Sequence, residues 1–197
     1  MVILLPILVG IILWQQLPEQ IPSHWDMNGN VDGWTTKGFA VFGFPVLMLA
    51  LHWFGVFATF ADPKHKNHSP KLLHFVFWIV PAISILLCTL TYSAAMDNEV
   101  HVEKMVSVFL GVLFVIIGNY LPKCKQNYTI GIKLPWTLNS EENWNKTHRL
   151  AGRLWVVSGF IIAFSGFFNI LPVIIAVFVV MITVPVVYSY ILHRKNV

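Results

Sequence analysis

Apolar residues run along this chain in six stretches, at roughly 2–17, 39–61, 72–95, 105–121, 154–168 and 170–192. About 20 apolar residues in helical form cross the hydrocarbon core of a bilayer. The second, third and sixth stretches clear that length. The first, fourth and fifth are shorter and predict upright crossings or a locally thinned bilayer. Helix is the predicted state throughout, because an open strand in lipid leaves backbone groups unpaired. Only Phe167-Phe168-Asn169-Ile170-Leu171-Pro172 separates the last two stretches. A tight turn around Asn169 and Pro172 is predicted there, since one helix through both would be far too long for a single crossing. The pattern gives an all-α integral membrane protein, a six-helix transmembrane bundle. It divides into a two-span unit (1–61), a third span with flanking loops (62–105) and a three-span unit (106–197).

Composition agrees. The chain is 56% hydrophobic and 11% charged, where a soluble domain carries about 25% charged residues. The apolar start lacks a basic leader and a small-residue cleavage site, so it reads as a retained helix. Cys88, inside an apolar run, and Cys124, in a basic loop, are expected at different depths and so as two free thiols. The formal charge of +4 is no nucleic-acid signature, because topology distributes it. Eleven of the 13 Lys and Arg fall in 62–71, 122–153 and the C-terminal tail. By the positive-inside rule these lie in the cytoplasm, which places both termini inside. Most acids, Asp97 and Glu99 included, fall on the other side.

Lipid gives helices no hydrophobic reason to associate, so small residues decide close contacts. The fifth stretch carries Ala151/Gly152, Ser158/Gly159 and Ser165/Gly166 seven apart, and the fourth carries Gly111 and Gly118. These two spans are predicted partners. Pro45, Pro81 and Pro185 are expected to kink the second, third and sixth spans. His52 stands mid-span, where an ionisable residue is a functional candidate, although a backbone carbonyl of a neighbouring helix would also satisfy it.

Two polar segments carry the candidate chemistry. The outer one, 17–38, has Pro18 and Pro22 to stop a helix and the turn dipeptides Asn28-Gly29 and Asp32-Gly33, predicting a compact ordered hairpin. Trp25 and Trp34 suit the headgroup level. His24, Asp26 and Asp32 are ligand types for a divalent cation, but their spacing matches no metal motif, and solvated acids on a hydrogen-bonded lid are the alternative. In the inner segment, 118–152, Lys123 and Lys125 would meet anionic headgroups, and Tyr128–Leu134 would dip into the interface. Pro135 would present Trp136. A helix is predicted to start with Asn139 or Ser140 as N-cap and Glu141 and Glu142 in its first turn. Trp144, His148 and Ala151 would share one amphipathic face, either as a membrane-surface anchor or as a docking site. Asn119, Asn127, Thr137 and His148 would supply polar contacts, with Arg149 beside them. No nucleophile, thiol, phosphate-loop or zinc motif accompanies His148, so no catalytic residue is assigned and no cofactor is expected.

Leu17-Pro18, Ile21-Pro22, His24-Trp25, Gly29, Asp32 and Lys37 resemble the start of an uncharacterised bacterial membrane domain. Gly118-Asn119, Lys123, Asn127, Ile130-Gly131-Ile132, Pro135-Trp136-Thr137-Leu138, Trp144 and Thr147-His148-Arg149 resemble the SdpI family. The resemblance implies a multi-pass protein of the bacterial cytoplasmic membrane. It would confer immunity to a secreted toxic peptide and signal by drawing a cytoplasmic transcriptional repressor to the membrane, with no direct nucleic-acid binding. On that reading His24, Trp25, Asp26, Asp32 and Trp34 are candidates for toxin binding. Asn119, Lys123, Asn127, Trp136, Thr137, Trp144, His148 and Arg149 are candidates for docking inside. A small transporter and an interfacial membrane enzyme are the competing classes. Against a transporter, the chain has no internal repeat and no run of intramembrane acids.

Overall fold

A computed structural model describes residues 2–26, 29–96, 100–168 and 170–196. The chain is mostly helical, and among the described residues four helical stretches are long and apolar enough to cross a membrane: Phe39–Phe60, Pro70–Ala95, Val102–Lys123 and Leu171–Arg194. Two of the six predicted spans differ. The first holds helix only over Val2–Ile12, ending six residues before Pro18. The fifth is the apolar second half of a longer helix, Glu141–Ser165, whose polar first half lowers its hydropathy. Asp97, Glu99, Asn28 and Asn169, which entered the topology and turn arguments, lie outside the described residues.

The chain forms two compact units, Met1–Ala58 with Leu73–Val102, and Thr59–Leu72 with Glu103–Val197. This grouping cuts across the division at 61 and 105, because the 59–72 loop hydrogen-bonds to residues 126–129.

In the first unit, α1 (Leu5–Ile12) follows a 3-10 turn, and the chain then forms an antiparallel ribbon of β1 (Gln20–Trp25) and β2 (Val31–Thr36). The outer segment is therefore a hairpin, and the fold is not purely α. Asp32-Gly33 sits inside β2, with Gly33 opposite His24, so the reversal falls between Trp25 and Val31. A Cβ on Gly33 would come within 2.8 Å of the His24 Cβ, so close cross-strand approach, not turn geometry, explains this glycine. A π-helical turn, Phe39–Gly43, opens α2 (Phe44–Phe60), and α3 (Pro70–Ala95) runs through Pro81. Leu17 and Ile21 bury themselves with Ala40, Val41, Cys88 and Tyr92. Lys37 is buried at the hairpin base, where its Nζ donates to the Trp14 carbonyl (3.3 Å), pairs with Glu19 (2.9 Å) and lies over the Trp14 ring. A cation there complements the carbonyl end of α1.

In the second unit, α4 (Val102–Tyr120) is followed by the short α5 (Pro135–Asn139), and it packs on α6 (Glu141–Ser165) through the predicted glycines. A Cβ on Gly118 would lie 2.7 Å from the Gly152 carbonyl, and one on Gly111 2.5 Å from the Gly159 carbonyl. The backbones thus touch at two levels, which only glycine permits. α6 ends at Ser165 and α7 (Leu171–Arg194) begins with Pro172 in its first turn, so the predicted break is present. Trp155 links α6 to both neighbours, its Nε1 donating to the Met181 carbonyl of α7 (3.1 Å) and its ring edge-on to Phe114 of α4. Val157, Phe160 and Phe164 point away from the unit, an apolar outer face suited to lipid.

Candidate functional site

The inner segment folds into a hydrogen-bonded cap over the polar half of α6. After α4, Asn127 is fully buried and organises the turn. Its Oδ1 accepts from the N–H groups of Thr129 (2.9 Å) and Ile130 (2.6 Å), and its Nδ2 donates to the carbonyls of Lys125 and Ile130. Gly131 follows at φ +122°, a left-handed conformation that favours glycine. A side chain there would also strike His148, whose Nε2 would lie 2.5 Å from its Cβ.

His148 is held by two bonds that fix its protonation. Nε2 accepts from the Ile132 N–H (2.9 Å), and Nδ1–H donates to the Trp144 carbonyl (2.8 Å). A ring nitrogen that accepts from a backbone N–H has to be unprotonated, so the imidazole is neutral. Burial drives its pKa down to about 4, against the opposing pull of the Trp144 carbonyl. The ring stacks on Trp144 at 4.0 Å, and the Trp144 Nε1 donates to the Cys124 carbonyl (2.7 Å). Thr137 completes the turn, its Oγ1 accepting from Leu134 N–H (2.9 Å) and facing the Ile132 and Leu134 carbonyls. Ser140, one of the two predicted N-caps, accepts from Asn143 N–H and starts α6.

This arrangement corrects the inner docking candidates. Asn127, Thr137, Trp144 and His148 are buried and build the cap; they are not a presented surface. Residues 128–134 cover the Trp144–His148 face, which leaves no room there for lipid or a partner. Trp136 docks on α7, donating to Ser189 Oγ (2.8 Å) and stacking on His193. Asn119, Lys123 and Arg149 remain exposed. Cys88 and Cys124 are both free and buried, and burial raises the Cys124 thiol to about 11, which makes it unreactive.

Sequence reasoning missed the partners that fasten the cap. Asp62, in the loop after α2, accepts from the N–H groups of Lys64 (2.7 Å) and Tyr128 (2.8 Å) and from Thr129 Oγ1 (2.9 Å), with His68 Nε2 at 3.5 Å. Burial alone would raise its carboxyl pKa, but the donors from Lys64, Thr129 and Tyr128 together with His68 hold it below the usual value. Gln126 donates to the Thr137 and Leu138 carbonyls, and accepts from Lys64 Nζ (2.6 Å). The available signal was a single acid in an otherwise basic loop.

On the outer hairpin, His24 Nδ1 and Asp32 Oδ1 form a short pair (2.5 Å) that stands open to solvent. Exposed pairs of this kind add little stability. Asp26 is taken up by the turn, accepting from both the backbone and side-chain nitrogens of Asn30. Asp26 therefore does not join the His24–Asp32 pair, and among the described residues no group of three or more His, Cys, Asp or Glu is placed to hold a metal ion. Trp25 and Trp34 line a cavity of about 240 Å³ with Phe39, Phe44 and Leu87, and Trp34 is 58% exposed. His52 is half-buried, edge-on to Trp53 and Phe77.

Comparison with known proteins matches both segments. Residues 123–189 match the SdpI/YfhL protein family, and residues 1–49 match Domain of unknown function (DUF1648). Immunity protein SdpI of Bacillus subtilis (strain 168) is 29% identical over 197 residues, covering 98% of this chain and 93% of that protein. No solved structure matches.

Proposed function

We propose, from the premise that this membrane protein joins a DUF1648 domain to an SdpI-family segment, that it confers immunity to a secreted antimicrobial peptide. The observation that carries the reading is its likeness along nearly the whole chain to a protein named for immunity. The hairpin is the receiving surface. Trp25 and Trp34 offer an amphipathic peptide two indoles beside an apolar cavity of about 240 Å³, at the depth where such peptides lie. His24 and Asp32 supply the polar rim, and Asp26 holds the turn.

In this reading the chain crosses the bacterial cytoplasmic membrane six times with both termini inside. The short α1 and the apolar half of α6 join the four longer helices. The exposed inner residues Asn119, Lys123 and Arg149, with half-buried Trp136, form the surface that would recruit a cytoplasmic repressor. Ligand outside alters that surface only to the extent that it binds two states of the bundle unequally.

Expression in a peptide-sensitive strain tests the reading. The parent should raise survival. Trp34→Ala and Trp25→Ala should each lose at least tenfold in protective concentration at equal membrane levels. Absence of protection by the parent against every secreted peptide tried would remove the proposal.

A further inference from the structure

Apart from the hairpin cavity, the first unit contains a larger cleft, about 350 Å³, lined by α2, α3 and the Val2–Ile3 start of the chain. Leu49, His52 and Trp53 line it from α2, and His74, Phe77 and Trp78 line it from α3. His52 precedes the end of α2 at Phe60 by eight residues, and His74 follows the start of α3 at Pro70 by four. At 1.5 Å per residue, these imidazoles stand roughly 12 and 6 Å inside their helix ends. Both helices are long and apolar enough to cross a membrane.

The chemistry of the lining is narrow. No Lys, Arg, Asp or Glu contributes to it. Among the described residues the imidazoles of His52 and His74 and the indoles of Trp53 and Trp78 form no hydrogen bond. His52 meets Trp53 and Phe77 only edge-on, at 6.2 Å between ring centres. Polar groups at membrane depth are costly unless something pairs with them, and here the half-buried His52 and the exposed His74, Trp53 and Trp78 gather around one cleft. An indole N–H only donates, while a neutral imidazole donates and accepts. The fitting occupant therefore presents acceptors. Without a cation in the wall, it is not an anionic headgroup. With two imidazoles and no further ligand, it is not a metal ion. Three aromatic rings favour a flat ring packed against them, and the position within the spans favours a molecule that travels in lipid.

We infer that this cleft binds the ring of a lipid-soluble quinone, whose two carbonyl oxygens accept hydrogen bonds from the His52 and His74 side. Binding alone is assigned, with no electron transfer. The test is a titration of the full-length protein in phosphatidylcholine vesicles with decylubiquinone, followed by tryptophan fluorescence. Trp53 and Trp78 would lie against the bound ring, so quenching should saturate at one equivalent per chain. His52→Ala/His74→Ala should weaken the apparent Kd at least tenfold. Leu49→Trp, which fills the cleft and keeps both imidazoles, should do the same; it guards against a folding defect in the double variant, and circular dichroism checks both. Three results would overturn the assignment: quenching that only tracks quinone partitioning into the vesicles, saturable quenching that is unchanged in both variants, or displacement of the quinone by tetraphenylphosphonium at lower concentration. The last would mark the cleft as a cation-binding aromatic cage.

Discussion

His148 couples the inner cap to pH. Its folded-state pKa of about 4 lies below the ordinary value of 6.5, so between these values the unfolded chain takes up a proton that the folded one refuses. Stability is complete above about pH 6.5 and falls as the medium is acidified towards 4, by roughly 3 kcal/mol at most at 1.36 kcal/mol per unit. Asp62, whose carboxyl is held low, adds a further loss only below its ordinary value of 3.8. Thermal unfolding in detergent at pH 7.5 and pH 5 should show a clear drop for the parent. His148→Gln should be less stable at pH 7.5 and nearly flat between the two. Equal slopes would show that the imidazole is not held neutral. Gly131→Ala should cost about 1–3 kcal/mol through its left-handed backbone and its contact with His148. Gly55→Ala, with open space around it, should leave the melting temperature within a degree or two.

Elements were legible where a periodic signal survives burial. The heptad of small residues in 151–166 and the glycines at 111 and 118 pointed to the α4–α6 contact, because in lipid only small side chains admit such approach. Gly118→Leu or Gly159→Leu should therefore separate the two helices and lower resistance to unfolding in SDS by several kcal/mol, together with the loss of any protective activity. The cap was legible only in part. Trp144, His148 and Ala151 do share a face of α6, yet periodicity cannot say what covers a face. Here a turn built by buried Asn127 and Gly131 covers it. Asp62 stayed hidden for a related reason, since its partners Tyr128 and Thr129 lie more than sixty residues away. The outer hairpin was foreseen from Pro18 and Pro22, but Asp32-Gly33 belongs to a strand, which a turn dipeptide on its own does not reveal.

For the whole chain, hydropathy separates four helices long and apolar enough to cross a membrane from two whose crossing depends on context. α1 is short, and the apolar half of α6 shares a helix with Glu141, Glu142 and Lys146. The proposed six crossings with both termini inside would make a definite labelling pattern. The native thiols do not report it, because both are buried, so Cys88→Ala/Cys124→Ala is the proper background. In intact cells an impermeant maleimide should tag Thr36→Cys and leave Lys125→Cys and Lys195→Cys untouched until the membrane is permeabilised. Phe164→Cys, on the apolar outer face, should resist the reagent in both conditions. Tagging of Lys125→Cys in intact cells would reverse the orientation, and with it the assignment of outer and inner surfaces.

The continuity of α6 has a mechanical corollary. Its 25 residues make one rod, about 37 Å long at the standard rise. Tilting such a rod by five degrees about its Ser165 end sweeps the opposite tip through roughly 3 Å. That tip carries Asn143 and Trp144, and the ring of Trp144 is clamped to the Cys124 carbonyl by a single 2.7 Å bond. A displacement of that size exceeds what one such bond tolerates. The bonds from Trp144 to the Cys124 carbonyl and from Asn143 to the Ser189 carbonyl (2.9 Å) therefore tie the far end of the rod against such a tilt.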